Sequence, residues 1–332
     1  MAERLTEPHD YGMNAEATLA HRIQTSPPDG FDEHWAAFRE EVAAQTEENA
    51  RVIEEVAALP RRWRSSIGPD SPGETALTPI PSTRGHAVFA RISVPPDPVE
   101  GVAVVLHGAG AIEGFPPLGP DERPPGLPRA LLERGLAAVE LRVRGFPPST
   151  EVLGELGAEW ILHRLESPDA WIVRSAVADV VQTVRCARRV FGEATPMLLT
   201  GESLGGGLAV LAAAQLEQME IPLHRLVVGL PSLGDWRWRM GRHCAGSGGL
   251  VNERLLQLLE DAELAQRSLE LHDAAHHARF VTTPCLCKLA DRDEVVPAPA
   301  AAAVVNALSS RDLWRFAVRF GHYEGGLADL RR

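Results

Sequence analysis

Leu198-Leu199-Thr200-Gly201-Glu202-Ser203-Leu204-Gly205-Gly206-Gly207 reads as an apolar β-strand that runs into Gly-x-Ser-x-Gly and then into a helix rich in Ala and Leu. A turn of this kind lifts the serine out of the strand-to-helix corner in a strained backbone conformation, and small residues two positions either side give neighbouring elements room. Gly201 and Gly205 hold those two positions. The serine then stands at a helix N-terminus, where unpaired N–H groups and the helix dipole favour developing negative charge. Five residues alone also fit an ordinary serine at a strand-to-helix turn, so the surroundings must decide.

Upstream, Val102-Ala103-Val104-Val105-Leu106 leads into a second glycine-rich turn, His107-Gly108-Ala109-Gly110. That is where a nucleophile elbow finds the other half of its oxyanion hole, so the backbone N–H groups of Ala109 and Leu204 are the expected donors. Chain order then requires an acid and afterwards a histidine. Phe320-Gly321-His322 supplies the histidine directly after the last strand-like run, and Ala290-Asp291-Arg292-Asp293-Glu294-Val295-Val296-Pro297 supplies the acid. Asp293 is preferred because the Val-Val-Pro that follows one residue later turns back into the core and leaves that carboxylate at the loop apex; Asp291 is the alternative. In such a triad the histidine takes the serine proton, an acyl-enzyme forms and water releases the acid, while the aspartate fixes the imidazole tautomer. Ser203, His322 and Asp293 need no cofactor or metal for this chemistry.

Away from these turns, strand-like runs alternate with helical ones: Ala87 to Val94, Val102 to Leu106, Ala137 to Val143, Pro196 to Thr200, Leu226 to Leu230, Cys285 to Leu289 and Trp314 to Phe320, with helices over Asp169 to Val190, Leu204 to Leu216 and Ala298 to Leu308. The alternation predicts an α/β fold, a mostly parallel central sheet with helices on both faces. Ahead of it, Phe31 to Leu59 carries apolar residues at three- and four-residue steps and predicts a long helix. Pro60 to Thr83, rich in Pro, Gly and Ser, is expected to be a surface connector. The expected organisation is therefore an N-terminal helical extension and linker over residues 1–83 and a catalytic domain over 84–332.

The composition bounds the function. With 45% apolar and 23% charged residues the chain has the material for a large core, and a net charge of −12 disfavours nucleic acid and anionic membrane partners. No stretch approaches the ~20 apolar residues of a membrane span, and the N-terminus lacks the basic and apolar regions of a secretory signal, so a cytoplasmic location is expected. The four cysteines, Cys186, Cys244, Cys285 and Cys287, are expected to be reduced thiols. His272, His276 and His277 cluster without metal-ligand spacing and read as a solvated helix face.

With these motifs in place, the chain resembles the acetyl xylan esterase and cephalosporin C deacetylase family of α/β-hydrolases, from about Phe31 to His322. Phe31-Asp32-Glu33-His34-Trp35 is similar to that family's N-terminal helix motif, Arg144-Gly145 to its Arg-Gly-Gln, and Pro231-Ser232-Leu233-Gly234-Asp235-Trp236-Arg237 to its Pro-Phe-Leu-x-Asp-x-Arg. Four positions depart from the pattern: Phe146 and Leu204 replace glutamines, Tyr323 replaces a glutamate, and Ala109 stands where a tyrosine is usual. The resemblance implies an α/β-hydrolase fold, a serine esterase acting on a small-molecule ester and ring-like homo-oligomers, while the departures from it imply a pocket more apolar than that of a sugar deacetylase.

Other readings remain open from sequence. Triad chemistry does not separate an esterase from an acyltransferase or peptidase of the same fold, and a non-catalytic ligand-binding scaffold is a further alternative. Arg144 is expected to clamp the fold through a buried carboxylate rather than touch substrate. Trp236 and Trp238 line a pocket, pack the core or form an oligomer contact. The Pro-rich stretch from Gly114 to Pro128 is expected to shape the cleft entrance.

Overall fold

The computed structural model describes residues 11–48, 74–95, 98–111, 115, 126–258, 262–319 and 321–322. Its centre is an eight-stranded sheet of β1 (Glu74–Pro81), β2 (Ala87–Val94), β3 (Gly101–Leu106), β4 (Leu136–Arg142), β5 (Met197–Glu202), β6 (Arg225–Gly229), β7 (Cys285–Ala290) and β8 (Leu313–Val318), in the spatial order β1-β2-β4-β3-β5-β6-β7-β8. β2 pairs antiparallel with β1 and β4, and every pairing from β4 onward is parallel. The sheet is thus mostly parallel, as the alternating pattern predicts.

Strand composition follows position. β3, with the sequence Gly-Val-Ala-Val-Val-Leu, is buried almost throughout, as a strand covered on both faces must be. Its alternate residues divide between two layers: Val102, Val104 and Leu106 join the main core, while Ala103 packs with Ala138 of β4 and Leu131 of α3 (Leu127–Leu132). The opposite layer holds α4 (Ile172–Phe191), which stops at Gly192 with φ 102°, and α5 (Leu204–Gln218), whose apolar residues surround the helix because the sheet and other helices enclose it.

The N-terminal part packs as one more layer on this body. α1 (Ala15–Ala20) lies against α10 (Ala298–Asn306), and α2 (Phe31–Glu48) against α4. Residues 49–59 of the expected long helix lie outside the described residues. The connector expected over Pro60 to Thr83 needs correction where it is described, because Glu74–Pro81 forms the edge strand β1. Most of the stretch from Gly114 to Pro128 is also outside the described residues; its last two, Leu127 and Pro128, open α3.

The histidine cluster overturns another expectation. His272, His276 and His277 are buried rather than solvated, around α8 (Ala262–Leu271) and α9 (Ala274–Ala278). Trp35 of α2 drives between them: its Nε1–H donates to Leu271 O at 2.8 Å, and its ring stands edge-on to those of His272 and His277. Burial holds His276 down at about 4 and His277 at about 3, and keeps His272 well below its ordinary value, so all three are neutral at pH 7. His277 Nε2 faces the Leu271 carbonyl at 3.1 Å and must carry the proton, leaving Nδ1 to accept from Gln215 Nε2–H at 3.1 Å. Among the described residues no helix is long and apolar enough to cross a membrane.

Candidate active site

Ser203 occupies the N-cap of α5 with φ 57° and ψ −119°, a backbone conformation that a non-glycine residue adopts only under strain. Its neighbours leave no alternative. A Cβ on Gly201 would fall 2.5 Å from the Gly205 carbonyl group, and one on Gly205 would fall 2.7 Å from His107 O. The corner is pinned by Ser203 N–H donating to Gly229 O at 2.9 Å and by Ser232 N–H donating to Ser203 O at 3.0 Å. Two glycines therefore let the β5–α5 corner close against the turn after β3, and the close fit holds the serine raised.

Asp293 and His322 meet on the neighbouring loops. His322 Nδ1 lies 2.7 Å from Asp293 Oδ2, and Asp293 Oδ1 accepts the N–H groups of Val295 and Val296, each at 2.9 Å. Asp293 is 1% exposed. Because Asp293 Oδ2 is the acceptor facing it, Nδ1 of the neutral imidazole carries the proton and Nε2 is left as the basic nitrogen. Asp291 is turned elsewhere: its backbone N–H donates to Val318 O, and its buried Oδ1 has no hydrogen-bond partner. Ser203 follows β5, Asp293 follows β7 and His322 follows β8, so all three leave the same edge of a parallel stretch of sheet.

The turn after β3 sits against this corner, with a Cβ on Gly108 falling 4.0 Å from Ser203 Cβ. His107 fixes it. Desolvation pushes its half-buried ring down to about 4, so it is neutral. Nε2 accepts from Val143 N–H at 3.3 Å, so Nδ1 is the protonated nitrogen and donates to Gly108 O at 2.9 Å. Ala109 and Leu204 line one narrow cleft with Phe146, Ala158, Trp160, Ile161 and Ser247. Leu204 is the first residue of its helix, where an N–H group has no intrahelical partner.

The residues with ambiguous roles divide cleanly. Arg144 is 2% exposed and clamps Asp179, with Nε donating at 3.0 Å to Oδ2 and the Arg144 backbone N–H donating to the same oxygen; Nη2 also reaches Ser82 and Thr83. It is a structural fork, as expected. Trp236 is core, whereas Trp238 stacks with Tyr11 and His21 outside the cleft. Glu202 reaches sideways to Lys288 at 3.3 Å. Sequence gave no indication that Trp160, Ile161 and Ser247 line the cleft, since they lie far from every motif; only the packing of the 3₁₀ turn Gly157–Leu162 against α7 (Ser247–Gln257) brings them there.

Comparison with known proteins agrees with this geometry at the level of architecture. An acetyl xylan esterase of Thermoanaerobacterium sp. JW/SL YS485 superposes with a TM-score of 0.70 and 17% identity over 96% of this chain and 97% of its own. The fold is that of the α/β-hydrolases. An acetyl xylan esterase from Paenibacillus sp. R4 is similar at a TM-score of 0.69, with 16% identity and 96% and 98% coverage. An acylaminoacyl peptidase of Pyrococcus horikoshii matches at 0.57, with 12% identity over 80% of this chain and 40% of its own. No protein-family model matches the sequence, and no curated protein matches it significantly.

Proposed function

We propose that this chain is a serine esterase, a carboxylic ester hydrolase that works through Ser203, His322 and Asp293. The observation that carries the reading is the 2.7 Å hydrogen bond from His322 Nδ1 to a buried, otherwise satisfied Asp293, on loops that leave the same sheet edge as the strained Ser203. His322 Nε2 removes the Ser203 proton as Oγ attacks the ester carbonyl, and the N–H groups of Ala109 and Leu204 receive the oxyanion. His322 then protonates the leaving alcohol, and water attacks the acyl-enzyme by the reverse route.

The cleft supports a small acyl group on an apolar wall. Phe146 is fully buried, packs edge-on against His107 with ring centroids 4.5 Å apart and tilts against Trp160 at 5.5 Å. A wall of Phe146, Trp160 and Ile161 offers few hydrogen bonds to sugar hydroxyls, so acetylated xylan is a poor fit despite the shared fold. The test is turnover of a short p-nitrophenyl ester together with fluorophosphonate labelling, for the wild type and Ser203→Ala. Turnover and labelling confined to the wild type support the reading. A folded wild type that does neither refutes it and favours a ligand-binding scaffold.

A further inference from the structure

We propose that His107 is a positioning residue for the oxyanion hole: through its hydrogen bond to the Gly108 carbonyl it aims the Ala109 N–H at the developing oxyanion. The inference rests on the esterase reading and assigns the residue that sets one half of its transition-state site.

The two expected donors are held in different ways. Leu204 is the first residue of α5, so the helix itself sets the direction of its N–H, and the tight fit at Gly201 and Gly205 fixes where that helix starts. Ala109 instead lies in a loop turn between Gly108 and Gly110. Neither glycine is confined by its surroundings: a Cβ on Gly108 would meet nothing closer than 3.9 Å, and one on Gly110 would meet nothing within 4 Å. Glycine also brings little backbone preference of its own. Such a turn holds a catalytic N–H in one direction only if a neighbouring group constrains it.

The constraint acts on the Gly108 oxygen. It accepts Ala111 N–H at 3.2 Å, which closes the turn, and His107 Nδ1–H at 2.9 Å. The Gly108 carbonyl and the Ala109 N–H belong to one trans peptide, so they point in opposite directions. Two donors on the oxygen therefore turn the N–H away from the ring, and among the described residues that N–H has no hydrogen-bond partner. Ala109 lines the cleft together with Leu204, and Gly108 lies against Ser203. The ring is anchored in turn from β4: Nε2 accepts Val143 N–H at 3.3 Å, and Phe146 packs edge-on with ring centroids 4.5 Å apart. A neutral imidazole suits both partners because it donates at one nitrogen and accepts at the other. His107 thus ties the oxyanion turn to the loop that carries the apolar wall. It touches no reacting atom and takes no proton; it holds a donor already aimed, so that no reorganisation is needed when the carbonyl oxygen gains charge.

The experiment separates the two hydrogen bonds of the ring. His107→Asn places an amide N–H where Nδ1–H stands and keeps the bond to Gly108 O, whereas the oxygen of His107→Gln reaches the Nε2 position, accepts Val143 N–H and leaves Gly108 O without its side-chain donor. For the wild type and both variants, kcat and KM for p-nitrophenyl acetate are measured together with the urea midpoint and the inhibition constant of a trifluoromethyl ketone, whose adduct with Ser203 carries an oxyanion. In His107→Gln, kcat is expected to fall by about 10- to 100-fold with KM within about threefold of wild type, and the inhibition constant to rise in step. His107→Asn is expected to recover most of that loss, even where its urea midpoint is the lower of the two. If His107→Gln keeps the wild-type kcat, or if His107→Asn loses as much and both losses follow the urea midpoints, His107 serves only the fold; the proposal is then overturned while the esterase reading stands. If the wild type neither turns over the ester nor labels with a fluorophosphonate, the esterase reading fails and the proposal falls with it.

Discussion

Asp293 spends its hydrogen-bonding capacity on two backbone N–H groups and one imidazole, so the carboxylate holds both its loop and the His322 tautomer. Asp293→Asn keeps the shape but lets the amide donate to the ring, which favours the wrong tautomer; kcat is expected to fall by about 10⁴ with little change in folding. Asp291→Asn, which touches no part of the proposed triad, is expected to stay within a few-fold of wild type, and esterase rates of the two variants side by side check the assignment. Arg144 makes the opposite case, a residue at a loop turn whose whole guanidinium serves the fold. Arg144→Met leaves the buried Asp179 carboxylate without its counter-ion, held only by Ser82 Oγ–H and one backbone N–H, and is expected to cost about 3–5 kcal/mol in urea unfolding.

Elements explain why some of this was legible in the sequence and some was not. Strands from β2 onward were readable to within a residue or two because buried parallel strands are dense apolar runs, as β3 is. β1 was hidden by Pro79 and Pro81 and by the Pro-, Gly- and Ser-rich residues before it; an edge strand tolerates proline because half of its N–H groups need no partner. Ser203, Asp293 and His322 were legible because chain order and strand ends constrain them, whereas the wall of Trp160 and Ile161 depends on a 3₁₀ turn with no periodicity to read. The buried histidines were misread for a related reason: α9 is only five residues long and buried throughout, so it has no polar face to contrast with an apolar one. α5 and α10 enclose it, and α2 closes over its histidines through Phe31 and Trp35. Trp35→Ala removes a 1% exposed ring and the bond to Leu271 O, and is expected to destabilise the protein by about 3–5 kcal/mol, read as a lower urea midpoint with the far-ultraviolet spectrum of the native state preserved.

At the scale of the molecule, neutral buried histidines make stability depend on pH. His107 is held at about 4 and His277 at about 3, with His272 also well below its ordinary value, all three chiefly by burial. An unfolded chain protonates each near 6.5, so between about pH 4 and 6.5 the unfolded state binds more protons and folding loses stability as pH falls. Asp273 works against this trend. Burial raises it to about 7 even though it accepts the N–H groups of Asp235, Trp236 and Ala275, so in the same window the folded state keeps a proton that the unfolded carboxylate has lost. Burial holds His34 and His276 at about 4 as well, so the histidines outnumber the aspartate and unfolding takes up protons on balance across this window. Urea midpoints are therefore expected to drop steeply from pH 6.5 to pH 5 and to change little from pH 7 to pH 8. His277→Gln can still accept and donate in place of the ring without titrating, so it is expected to flatten the acid limb by about one proton's worth, close to 1.4 kcal/mol per pH unit. A limb of unchanged slope in that variant would mean that the acid sensitivity arises elsewhere, from the carboxylates rather than from the helices that clasp Trp35.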